Sequence, residues 1–253
     1  MGETGTRAGD TLAPALLAAV EERLRPLRVA QVVVGLAYTG VLLSDGRMGV
    51  AATLVEGQGC RAHPRAGGLS GLPAWELAQG LLSPDPVASS LGLATVNAAL
   101  GGGKPSPDPV AALAVGRGDV VGLVGYIGPL VRALAGRAKE LLVFERNQSR
   151  PGVLPDWAVE LELPRCDVVF ITGTAFANNT VDRLVALSRG RVAVIGPSTP
   201  MWPGLLERGV DWLFGARVLE PSRALTAIAE AGGTRALYRS GLVKVALGRD
   251  VDH

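Results

Sequence analysis

Val120-Val121-Gly122-Leu123-Val124-Gly125-Tyr126-Ile127-Gly128 reads as a buried strand that ends in a glycine turn and runs into a helix. A run this apolar and β-branched suits a strand covered on both faces, as in a parallel sheet. Glycine at the turn lets backbone N–H groups approach an anion closely, and the next helix offers its positive end. Three later strands end in a similar way. Leu141–Phe144 runs into Glu145-Arg146-Asn147, Val168–Ile171 into Thr172-Gly173-Thr174, and Val192–Ile195 into Gly196-Pro197-Ser198-Thr199. In an open α/β sheet such ends lie along one edge, where ligands bind.

Working outward, strands at 119–125, 140–145, 167–172 and 191–195 alternate with helical segments near 129–138, 179–189 and 202–208. A short strand at 210–215 and a helix at 222–231 follow, and the tail 241–247 reads as an edge strand or coil. Repeated β-then-α alternation implies a doubly wound, mainly parallel sheet with right-handed crossovers. The first hundred residues have another character. Thr11–Leu24 is an amphipathic helix. Val29–Leu36, Tyr38–Leu43 and Met48–Val55 read as an antiparallel sheet, with Asp45-Gly46 supplying the tight turn. A loop at 56–73 precedes helices at Ala74–Leu82 and Pro86–Leu100, the second with Asp85 as its N-cap and Pro86 in its first turn. The run Gly101–Pro107 reads as a linker or exposed loop. The expected division is an α+β domain at 1–104 and an α/β domain at 105–253.

Composition narrows the function classes. The net charge is +2 and aromatic residues make up 4%, with no basic stripe, which argues against nucleic acid. Two cysteines give no disulfide framework. The N-terminus does not read as a signal peptide, and the apolar runs are too short and glycine-broken to span a membrane. The expectation is a cytoplasmic protein, with a homodimer as the default oligomer.

Gly125 and Gly128 match the last two glycines of the dinucleotide fingerprint G-x-G-x-x-G, but Leu123 stands where the first belongs. Glu145 lies about 20 residues on, where a ribose-binding carboxylate sits in that fold, and Arg146 beside it suits a phosphate. The plainer reading is that these glycines only allow tight strand-to-helix turns. Thr172, Gly173, Thr174 and Gly196-Pro197-Ser198-Thr199 offer hydroxyls and amides for phosphate or carboxylate oxygens. Asn178 and its neighbours also suit a helix cap. Cys60 and His63, at C-x-x-H spacing, are a candidate pair for a transition metal ion; the other histidine, His253, is terminal and Cys166 precedes an apolar strand, so carboxylates such as Glu56 would have to complete the site. No G-x-S-x-G elbow or Walker lysine is present.

Taken together, the chain resembles a bacterial and archaeal family to which heavy-metal chelation is ascribed. Its members join an enolase-N-terminal-like domain to a Rossmann-like domain. The resemblance rests on Val34–Thr39, Gly49-Val50-Ala51, Leu91–Ala98, Val121–Gly125, Phe144–Asn147, Ile171–Thr174, Asn178–Asp182 and Gly196–Pro200. It implies a ligand cleft between the domains, walled by the strand ends. The candidate ligand-binding residues are Tyr38, Thr39, Gly125, Glu145, Arg146, Asn147, Thr172, Gly173, Thr174, Asn178, Gly196, Pro197, Ser198 and Thr199. A small anionic ligand able to hold metal fits these residues better than direct chelation by side chains. The other reading is a transferase or oxidoreductase using S-adenosylmethionine or NAD(P), resting on the glycine turn and Glu145.

Overall fold

The computed structural model describes residues 11–54 and 62–249. Helix α1 (Leu12–Leu24) leads into the antiparallel strands β1 (Val29–Val34), β2 (Tyr38–Leu43) and β3 (Met48–Ala52), in that order across the sheet. Two helices follow, α2 (Ala74–Ala78), extended by a 3-10 turn, and α3 (Pro86–Leu100). Asp85 caps α3: its carboxylate accepts the Ala88 N–H at 2.7 Å. The small side chains of α3 let β3 lie directly on it. A Cβ placed on Gly49 would sit 2.1 Å from the Ala94 carbonyl oxygen, so only glycine allows this approach.

The remainder builds one larger sheet. Its strands are β4 (Lys104–Pro105), β5 (Val120–Val124), β6 (Glu140–Glu145), β7 (Leu154–Pro155), β8 (Val168–Thr172), β9 (Arg191–Ile195), β10 (Trp212–Val218) and β11 (Leu242–Gly248). The helices between them are α4 (Pro109–Ala112), α5 (Gly128–Leu134), α6 (Val159–Glu162), α7 (Thr174–Ala177), α8 (Val181–Leu187), α9 (Pro221–Ala229) and α10 (Thr234–Arg239). The spatial order is β4-β11-β10-β9-β8-β5-β6-β7. The pairs from β10 to β7 are parallel, whereas β11 and β4 add on antiparallel. From β5 the chain winds outward through β6 and β7, then returns to the other side of β5 and winds outward through β8, β9 and β10. The order therefore reverses between β5 and β8, and the carboxyl ends of these two strands flank the switch point.

Alternation along the strands gives the sheet two apolar faces. Val121, Leu123, Val168 and Phe170 pack with Leu113 of the turn after α4 and with Leu130 and Leu134 of α5. Val169, Ile171, Val192 and Val194 share a continuous core with α1 and α3. One face of the larger sheet is thus covered by the first hundred residues. The tail strand β11 is not at the edge, because β4, within the run read as linker or loop, pairs with Val245 and Ala246. Helix α10 follows Gly232-Gly233 and is too short to show a hydrophobic period in the sequence. No helix among the described residues is long and apolar enough to cross a membrane.

Candidate functional site

The switch point is tight. Gly125 adopts a left-handed φ of +88°, and a Cβ there would lie 2.8 Å from Thr172 Cγ2. Its N–H donates to the Phe144 carbonyl at 2.8 Å. The next amide, Tyr126 N–H, donates to Glu145 Oε2 at 2.9 Å, while Oε1 accepts the Arg146 N–H at 2.8 Å. Both oxygens of Glu145 therefore hold main chain, clamping the turn after β5 to the end of β6. In the dinucleotide arrangement this carboxylate would face a ribose and the turn's amides a phosphate. Arg146 faces Asp156, Nε to Oδ2 3.3 Å, and the Asn147 side chain accepts the Ser149 N–H at 3.0 Å.

A cavity of about 960 Å³ opens at the same edge of the sheet. Thr172, Ile195, Gly196, Pro197, Phe214 and Gly215 contribute from the strand ends. The segments 106–110 and 126–130, with Arg132 and Ala133, add a wall rich in proline and aliphatic carbon. Tyr38 of β2, Thr234, Arg235 and Tyr238 of α10, and Lys244 of β11 complete the lining. All three tyrosines of the chain, Tyr38, Tyr126 and Tyr238, line this one cavity.

The lining carries cationic charge. Among the described residues no carboxylate pairs with Arg132, Arg235 or Lys244. The lining acid, Asp108, uses Oδ1 to accept the Ala111 N–H at 2.9 Å and so caps α4. Tyr38 is 9% exposed, and its hydroxyl hydrogen-bonds Thr234 Oγ1 at 2.7 Å, tying β2 to α10. Burial pushes the Tyr38 phenol pKa up, with the Thr234 hydrogen bond acting the other way. Burial, and then the charge of Tyr38, push the Tyr238 phenol up to about 12. Both phenols are thus neutral near pH 7.

Of the residues singled out by sequence, Tyr38, Thr172, Gly196 and Pro197 line the cavity. Several others tie the structure together. Ser198 is 3% exposed and accepts the Ala52 N–H at 2.8 Å, while its carbonyl accepts from Asn97 Nδ2 at 3.1 Å. The turn after β9 is thereby bonded to β3 and α3. Thr39 is fully buried against Thr53, hydroxyl to hydroxyl 3.0 Å. Gly173 is covered by Thr199, whose backbone N would lie 2.6 Å from a Cβ placed there. Thr174 shares a 3.2 Å hydroxyl contact with Thr172, and Asn178 accepts from the Thr180 N–H at 3.2 Å in a local turn. Buried Thr199 Oγ1 and Asn97 Oδ1 have no hydrogen-bond partner among the described residues.

His63 is half-buried and accepts the Arg65 N–H at 3.2 Å, while Cys60 lies outside the described residues. No group of three or more His, Cys, Asp or Glu side chains that could hold a metal occurs among the described residues. Arg132, Arg235, Lys244 and Tyr238 also line the cavity and are not among the residues singled out by sequence. The available signal was the scarcity of tyrosine, which makes each phenol informative once its position is known.

Two family models, both described as "putative heavy-metal chelation", match residues 17–100 and 108–247. An uncharacterized protein of Methanocaldococcus jannaschii is 30% identical over 227 residues, covering 81% of this chain and 85% of that protein. A crystal structure of a DUF364-family protein of unknown function from Desulfitobacterium hafniense aligns with a TM-score of 0.82 at 28% identity, over 94% of this chain and 97% of that one. A second structure of that family, from Pyrococcus horikoshii, aligns with a TM-score of 0.74 at 21% identity, over 92% of this chain and 99% of its own, and supports the fold alone.

Proposed function

The chain belongs to this heavy-metal chelation family, and from that premise we propose that it binds metal as cargo already held by a small organic anion, in the cavity at the strand ends. The observation that carries the reading is the charge of the lining. Arg132, Arg235 and Lys244 surround a cavity whose acid is committed to a helix cap. Such a site repels a bare divalent cation and attracts an anionic chelate. The described residues also offer no cluster of side-chain ligands to take a bare ion. On this reading 1–104 and 105–253 act as two domains that share the ligand, the first supplying Tyr38 and the second the strand ends and the cations.

The test is a thermal-shift series on metal-stripped protein. Nickel and zinc ions are added alone, and iron is added as its citrate and dihydroxybenzoate chelates. At least one anionic chelate raises the midpoint, the bare ions do not, and Arg235→Glu combined with Lys244→Glu removes the response. A ligand at a hundredfold its Kd adds about 2.7 kcal/mol, or roughly 2–4 °C per kcal/mol for a chain of this size. Stabilisation by the bare ions that survives the charge reversal overturns the reading.

A further inference from the structure

The cavity also constrains what kind of anion it takes, and this inference rests on the chelate reading above. We infer that the organic part of the ligand is aromatic: a chelator whose ring or rings bear paired anionic oxygens, rather than an aliphatic polycarboxylate.

Size gives the first argument. About 960 Å³ is at the upper end of the volumes that hold drug-sized ligands, so a bare ion or a short carboxylate would leave most of the space to water. Chemistry gives the second. Beside the cations the lining includes four proline rings, Pro107, Pro109, Pro129 and Pro197, together with Val110 and Leu130. An aliphatic polycarboxylate carries polar oxygens on all sides and would leave some of them unpaired against this surface. An aryl chelator places its anionic oxygens to one side and shows flat apolar carbon on the other. Aromatic rings are also concentrated here. In a chain with 4% aromatic residues, all three tyrosines and Phe214 reach this cavity. Tyr126 is 36% exposed, and the Arg150 guanidinium lies over its ring at 4.3 Å from the centroid. Its ring thus carries a cation over one face and borders the cavity. The phenols of Tyr38 and Tyr238 are neutral near pH 7, as phenols ordinarily are, and burial only moves their titration further up.

The discriminating experiment titrates the full chain with ferric citrate and with ferric dihydroxybenzoate, using wild type, Tyr126→Ala and Arg235→Glu. The dihydroxybenzoate chelate binds wild type at least about tenfold more tightly than the citrate chelate. Tyr126→Ala weakens the aryl chelate by roughly three- to tenfold, the scale of one aromatic pair, and leaves the citrate chelate unchanged. Arg235→Glu weakens both. Equal or tighter binding of citrate overturns the aromatic assignment while leaving the chelate reading standing. An equal loss of both chelates in Tyr126→Ala also overturns the assignment, because the ring would then serve the fold. Failure of both chelates to bind folded wild type overturns the assignment, and the bare-ion arm of the thermal-shift series then decides the chelate reading separately.

Discussion

The turn after β5 and the wall formed by α10 and β11 lie at the same edge of one sheet, and they treat their polar groups in opposite ways. At the turn, Gly125, Tyr126 and Arg146 all give their amides to the end of β6, and Glu145 has both oxygens engaged. At the wall, Arg235 and Lys244 stand exposed beside a cavity without a carboxylate partner among the described residues. The first region spends its hydrogen-bonding capacity on holding strands together. The second leaves its charge without a carboxylate partner among the described residues, with Lys244 Nζ 5.8 Å from the Tyr238 ring centroid. A glycine turn at a strand end is therefore a poor guide to a binding site until its amides have been accounted for.

Substitutions can break this contrast, and the largest effect is expected where the structure is closest packed. Gly173→Ala forces a methyl group to within 2.6 Å of the Thr199 backbone nitrogen. It should cost about 3 kcal/mol or more in chemical denaturation, because the obstacle is backbone and cannot rotate away. Glu145→Ala releases the Tyr126 and Arg146 amides at a partly exposed site. A loss of about 1–2 kcal/mol is expected, with chelate affinity reduced far less than by Arg235→Glu. A stability-neutral Glu145→Ala that abolished chelate binding would invert the comparison. Tyr38→Phe deletes the hydroxyl bond to Thr234 and should cost about 1 kcal/mol.

The tyrosines add a pH dependence. The Tyr238 phenol titrates from 10.0 in its ordinary state up to about 12 in the fold. Below pH 10 both states keep the proton and the contribution is complete. Between about 10 and 12 the unfolded chain loses its proton first, so stability falls as pH rises. Tyr238→Phe should flatten that decline in urea titrations across this window. The smallest stability effect belongs to the wall: Arg235→Glu, exposed and without an ion pair among the described residues, should move stability by less than about 0.5 kcal/mol while strongly reducing chelate binding.

Local chemistry carried much of the fold into the sequence. Asp85 and Pro86 mark the start of α3, and Asp45-Gly46 marks the hairpin, where Gly46 takes a φ of +86°. The parallel strands β5, β6, β8 and β9 are visible as apolar runs because burial on both faces leaves no polar alternation. The strand order was not legible beyond its class, since pairing β5 with β8 joins residues far apart in the chain. The site was less legible still. Ser198 and Thr39 carry the hydroxyls a ligand site would use, yet their partners are Ala52 and Thr53, which only the folded chain brings near. Arg235 and Lys244 look like ordinary surface charge, and α10 and β11 acquire meaning from the cavity they border.

The most direct measurement is isothermal titration of ferric dihydroxybenzoate into metal-stripped wild type and into the Arg235→Glu, Lys244→Glu double variant, with nickel ion alone as the parallel titrant. Saturable binding of the chelate to wild type, its loss in a double variant of unchanged thermal midpoint, and no saturable binding of nickel are the predicted results. Chelate binding of equal strength in both proteins, or nickel binding that the charge reversal leaves intact, would contradict the account.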